Sequence, residues 1–379
     1  MVTVNLNTKV LPTSHRVYMV RPGSGYHLRQ AFVENHAIAP DLAGLSVRDG
    51  KRPRDSKKIV AQIKRARAMA EWVRTEETRA EKIPPSKLAK WKGGENPPRL
   101  GMYRNIADEI LHQLPKGTLI YVPNPNFTED AMFGELVGAE EARVKFNGTG
   151  HRSQFTYLGR KLTNVKFLPM RKLPKAFFPP MKKRNWTFEM DTISAELLYR
   201  QYYGDFEIVG RKSITEIKVT KSRVYAPDLA IVGAVTNLVD QTIRRLEVQD
   251  AEMISLLDVV FLAPENDAPV IHANLGSSGE VLVEAVRRHS ARVVKVLLVL
   301  AVVYTGHEIW HMVENNELSL GNSQAILGVG VEDLAETQQL TYDFVRSTGR
   351  DSLNEIVGIV REFHDRTGGN VDATIIVDE

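Results

Sequence analysis

The residues His307-Glu308-Ile309-Trp310-His311 have a spacing that could support metal-dependent hydrolysis. On a helix, two histidines four apart share one face and can both reach one Zn²⁺, while the glutamate acts as base toward a metal-bound water. The uncharged flanks, Thr305 and Gly306 before and Met312 and Val313 after, fit that setting. A third ligand would come from a later helix, where Glu332 and Glu336 stand at a workable separation. The competing expectation is the polar end of a buried helix, with His307 and Glu308 reaching solvent. A second arrangement, Asp205 followed by Glu216-Ile217-Lys218, offers two carboxylates on adjacent strands for Mg²⁺ and a lysine for developing charge. Strand alternation also produces Glu-x-Lys without chemistry, and Gly204-Asp205 suits an ordinary hairpin start. A third, His272 through Glu280, would set backbone N–H groups and a helix N-terminus around an anion. Its glycines equally serve a tight strand-to-helix turn.

Used catalytically, the first arrangement would make a zinc metallopeptidase, with His307, His311 and Glu332 as ligands and Glu308 as base. The second would make a nuclease of the PD-(D/E)xK type, with Asp205, Glu216 and Lys218. The apolar periodicity says which elements must carry these residues. Val17 to Arg21 reads as a strand, followed by the Pro22-Gly23-Ser24-Gly25 turn and a helix from Tyr26 to Asn35. Ser56 can cap a helix in which Ile59, Val60, Ile63, Ala66, Met69, Ala70 and Val73 recur at helical spacing. Another helix follows at Met102 to Gln113. Then the period changes to two, with strands expected at 118–122, 133–137, 142–146, 155–158 and 165–170. The Pro- and Lys-rich stretch 174–183 reads as a domain boundary. Beyond it come a helix (193–202), strands (206–209, 214–219), a long helix (227–246), strands (259–262, 270–273), helices to about His364 and a last strand (373–377). The expectation is an α+β or α/β protein: a basic domain at 1–178 with a helical insertion at about 47–100, then a mixed α/β domain at 184–379.

Charge points to a partner more clearly than to a reaction. Lys51 to Arg104 carries sixteen Lys and Arg against six Asp and Glu, whereas the 379-residue chain has a net charge of only +4. A local cationic field attracts phosphate, so nucleic acid, DNA or RNA, is the expected partner. Lys57, Lys58, Lys64, Arg65, Arg67 and Arg74, on the first long helix, are the candidate contacts. A solvated helix face or an oligomer contact is the alternative. The absence of cysteine excludes disulfides and thiol chemistry and fits a reducing, cytoplasmic setting. The apolar run Val293 to Tyr304, broken by Lys295, is too short to span a membrane and reads as a buried helix. The long helices 227–246 and 293–313 could also build a homo-oligomeric scaffold.

Val17-Tyr18-Met19-Val20-Arg21-Pro22-Gly23, then Leu114-Pro115-Lys116-Gly117-Thr118-Leu119-Ile120-Tyr121-Val122-Pro123, then Phe133-Gly134-Glu135-Leu136-Val137-Gly138 resemble a PUA-like module. The likeness is to the N-terminal domain of Mrr-type restriction proteins and, more distantly, to EVE and SRA domains, and it covers roughly residues 16–172. It implies a small β-barrel that engages RNA or a flipped, modified DNA base, and a place in a restriction-like or anti-phage system. The basic insertion at about 47–100 departs from that pattern. For stacking a base, Tyr18, Trp72, Trp91 and Tyr121 are available.

Overall fold

The computed structural model describes residues 1–45, 57–74, 99–126, 129–145, 156–173, 177–178, 186–221, 225–247, 269–274, 280–285, 288–322 and 331–377. The strands are β1 (Val2–Asn5), β2 (Lys9–Leu11), β3 (Val17–Val20), β4 (Ala37–Ile38), β5 (Leu119–Val122), β6 (Asp130–Lys145), β7 (Thr156–Pro169), β8 (Thr187–Glu189), β9 (Phe206–Ile208), β10 (Lys212–Lys218), β11 (Val270–Asn274), β12 (Glu280–Ala285), β13 (Leu318–Gly321), β14 (Asn370–Val371) and β15 (Thr374–Val377). The helices are α1 (Arg29–Asn35), α2 (Lys57–Arg74), α3 (Leu100–Asp108), α4 (Thr192–Tyr203), α5 (Ala226–Glu247), α6 (Arg288–Val303), α7 (Gly306–Glu314), α8 (Val331–Thr348) and α9 (Arg350–Thr367). The protein is thus a mixture of helix and sheet. It divides into two compact units, His15–Tyr202 and Met1–Ser14 with Tyr203–Glu379. The division falls after Tyr202 rather than at 174–183, and the first fourteen residues join the C-terminal half.

In the unit His15–Tyr202, six strands in the order β4-β7-β6-β5-β3-β8 form a sheet that curls into a half-barrel. β5, Leu119-Ile120-Tyr121-Val122, is apolar and buried at every position, as a strand covered on both faces must be. The four short strands expected at 133–137, 142–146, 155–158 and 165–170 are two long ones, β6 and β7. Their register shifts between Phe133 and Glu135 and between Leu136 and Glu141. Such bulges bend a strand without ending its ladder, which is why the Gly- and Asn-containing breaks in the sequence mimic separate strands. Phe32, Ile120, Val122, Met132, Val144 and Tyr157 fill the core. Helix α3 runs into a π-turn at Glu109–Gln113. There the buried Arg160 of β7 donates from Nη1 to the Leu114 carbonyl, an acceptor that a helix end leaves open, and from Nε at 2.9 Å to the Gly138 carbonyl at the irregularity in β6.

The other unit is built on two sheets. β1 lies between β13, parallel to it, and β15, antiparallel. A second sheet runs β11-β12-β10-β9-β2, with β14 also paired to β10. α6 supplies the centre of the core: Val293, Val296, Leu297 and Leu300 are buried with Val4, Val283, Ile309 and Phe363. Among the described residues, no single helix is long and apolar enough to cross a membrane. Expected strand 259–262 lies outside the described residues. Glu280 opens a strand, β12, antiparallel to β11, so the segment His272 to Glu280 joins two strands instead of a strand and a helix.

Candidate functional site

Asp205 immediately precedes β9, and Glu216 and Lys218 lie on the neighbouring antiparallel strand β10, as the second sequence arrangement requires. The chemistry around Asp205 differs from that of a metal ligand. Its Oδ1 accepts from the Glu216 backbone N–H at 2.7 Å, and its Oδ2 accepts from Lys295 Nζ of α6. Lys295 also donates to the Leu6 carbonyl and to Thr8 Oγ1. Neither charged side chain reaches solvent, with 1% of Asp205 and none of Lys295 exposed. Burial pushes the Asp205 carboxyl up and the Lys295 ammonium down, each against the pull of the other. Two residues on, Glu207 of β9 meets Arg292 of α6 in an equally buried pair at 2.7 Å. The spacings of two on a strand and three on a helix bring both pairs to one seam. Glu216 is half-buried and Lys218 exposed.

At the zinc-type motif, the helix is α7 and Thr305 is its N-cap. Thr305 Oγ1 accepts from the Glu308 N–H, while the Glu308 carboxylate accepts from the Thr305 N–H at 2.7 Å and its hydroxyl at 2.9 Å. This reciprocal capping box holds the Glu308 carboxyl below its ordinary range, chiefly through the backbone hydrogen bond. His307 Nδ1 accepts from Arg350 Nε of α9. His311 is exposed. Glu336 pairs with His289 of α6 at 3.3 Å. Glu332 lies on α8, but its side chain is outside those described. Among the described residues, no three His, Asp or Glu side chains gather into a group that could hold a metal.

The basic helix α2 is a helix as its periodicity predicts, and it buries Ile63, Ala66, Met69 and Trp72. Its cations divide. Arg65 is buried and donates from Nη2 to the Gly44 carbonyl at 2.7 Å; desolvation lowers its pKa. Arg67 lies 3.4 Å from Asp41 and over the Tyr103 ring at 4.7 Å. Lys64 is half-buried, and the side chains of Lys57, Lys58 and Arg74 lie outside those described. The sequence treats all six as surface because charge alone gives no hint that Gly44 and Asp41 await two of them.

The aromatic candidates are also committed. Tyr121 is buried and stacked on Phe133 with centroids 5.1 Å apart, and Trp72 packs in the core. Tyr18 donates to Glu189 at 3.0 Å; burial and that carboxylate raise its phenol to about 12. Trp91 lies outside the described residues. No protein-family model matches the chain, and neither a curated protein nor a solved structure does.

Proposed function

We propose that the protein binds nucleic acid through the unit His15–Tyr202, a PUA-like module carrying the basic insertion, and that the second unit serves as effector or oligomerisation domain. The observation that supports this is how charge divides between the two compact units. His15–Tyr202 holds thirty-four Lys and Arg against nineteen Asp and Glu, a net of +15. The other unit holds sixteen against twenty-seven, a net of −11. The overall +4 conceals two oppositely charged bodies, one of which suits a polyanion. Metal-dependent hydrolysis has less support, because Asp205 and Glu308 are engaged in internal contacts.

The test is binding of the full chain to fluorescein-labelled single-stranded DNA, duplex DNA and RNA at about 50 and 200 mM salt. If phosphate neutralisation drives association, the logarithm of the affinity falls linearly with the logarithm of salt concentration. No binding to any of the three at the lower salt, or affinity indifferent to salt, would remove the reading.

A further inference from the structure

We propose that Arg143 and Lys145, at the end of β6, form with the neighbouring helix α2 one surface that takes the phosphodiester backbone of a nucleic acid. This rests on the reading of His15–Tyr202 as the nucleic-acid-binding unit and says where on it the backbone lies. The strand end alternates: Ala142 and Val144 are buried, while Arg143 and Lys145 are exposed. Residues two apart on a strand project from one face, so the two cations stand side by side, their backbones roughly 7 Å apart. Among the described residues, no hydrogen bond, ion pair or ring contact engages either side chain. Arg65, Arg67 and Arg160 differ, because their guanidinium groups serve Gly44, Asp41 and Leu114. Glu141 precedes Arg143 by two on the same strand, and its side chain is outside those described.

Two sets of contacts bring α2 to this row. Arg143 is paired with Leu158 of β7, and cross-strand partners share a face. Leu158 is buried in one cluster with Ile63 and Ala66 of α2. Lys145 is paired with Thr156, whose carbonyl accepts from the Gly44 N–H at 2.8 Å. The Gly44 carbonyl in turn accepts from Arg65 of α2 at 2.7 Å. Arg65 therefore ties the helix beside the row and leaves phosphate to its neighbours. The backbone of Lys145 is itself held, since its carbonyl accepts from Asn35 Nδ2 at 2.7 Å and its N–H donates to Asn35 Oδ1 at 3.4 Å. A strand end fixed in this way presents its cations with little further ordering, which lowers the cost of association. The spacing that a strand imposes suits successive phosphates along one backbone. Each phosphate contact then gains by releasing condensed counterions.

The experiment compares two double variants of the full chain in salt titrations with fluorescein-labelled single-stranded DNA, duplex DNA and RNA. R143Q/K145Q removes the row. K116Q/R171Q removes the same charge from exposed positions elsewhere in the unit: Lys116 lies just before β5, and Arg171 lies beyond the Pro169 end of β7, which pairs with Asp130 at the far end of β6 from Lys145. The first variant should bind more weakly, with a salt slope smaller by about 1.4 to 1.8, and the second should keep the wild-type slope. A wild type that binds none of the three removes the nucleic-acid reading and this surface with it. A wild type that binds, with R143Q/K145Q keeping its slope or both variants losing it equally, overturns the surface alone. Should R143Q/K145Q fold poorly, reductive methylation of the wild type with and without the nucleic acid supplies the second measurement. Lys145 should be shielded and Lys116 should not, and equal modification of Lys145 in both states overturns the proposal.

Discussion

Lys295 and Asp205 are joined inside the protein, with the ammonium of α6 donating to the carboxylate that precedes β9 and to the Leu6 carbonyl beside it. The carboxylate expected to hold Mg²⁺ is engaged by the lysine that also holds the segment at Leu6 and Thr8. Burial drives Asp205 up and Lys295 down, so the folded state resists both charges and tolerates them only together. Removing one partner should therefore be far worse than removing both. We expect Lys295→Met or Asp205→Asn to cost about 3–5 kcal/mol each. The double variant, in which Asn can still accept from the Glu216 N–H, should recover much of that loss. Urea denaturation checks this, and strict additivity would contradict it.

The two classes of cation on α2 should separate in one experiment. Lys64→Gln should leave stability nearly unchanged and reduce the salt slope of nucleic-acid binding by roughly 0.7 to 0.9. Arg65→Gln strands the Gly44 carbonyl, and should cost about 1–3 kcal/mol of stability. Its salt slope should stay at the wild-type value. Paired melting and anisotropy titrations distinguish the two behaviours.

At the start of α7, Thr305→Ala removes the hydroxyl from the capping box and should lower the melting temperature by about 2–4 °C. The Glu308 carboxyl lies below its ordinary range because Thr305 donates to its ionised form. Its stabilisation is therefore complete above the usual carboxylate range and fades as acid protonates it. Glu308→Gln should flatten that part of the acid limb. Thermal melts of both proteins between pH 3 and 6 measure the difference.

Gly306 tests the packing beneath the same motif. A Cβ at this position would lie 2.3 Å from Asn354 Cα, where α7 crosses α9. Backbone cannot yield as a side chain can. Gly306→Ala should destabilise by more than about 2 kcal/mol, read by chemical denaturation, although alanine is otherwise the better helix former.

Local pattern carried much of the fold. The apolar spacing of Ile63, Ala66 and Met69 gave α2, the run from Val293 gave α6, and Thr192–Tyr203 appears within a residue of where periodicity puts it. What escaped was non-local. No strand is expected before Val17, because the partners of β1, Leu318–Gly321 and Thr374–Val377, lie at the other end of the sequence. The surroundings of the site residues were hidden for a related reason. Glu-x-Lys and His-x-x-x-His fix which side chains share a face, but say nothing about what stands opposite. Lys295 was read as an interruption of an apolar run, yet it is the group that occupies Asp205. Arg350, which meets His307, has no signature in sequence at all.

The pairing of β1 with β13 sets an order of events during synthesis. Val2 must find Leu318, a residue the ribosome delivers 316 positions later. At bacterial to eukaryotic elongation speeds that is a wait of roughly 15 to 60 s. All of His15–Tyr202 will by then have emerged, so β1 reaches its place only after that unit has been made. During that interval Val2, Val4 and Leu6 lack the neighbours that bury them in the finished fold.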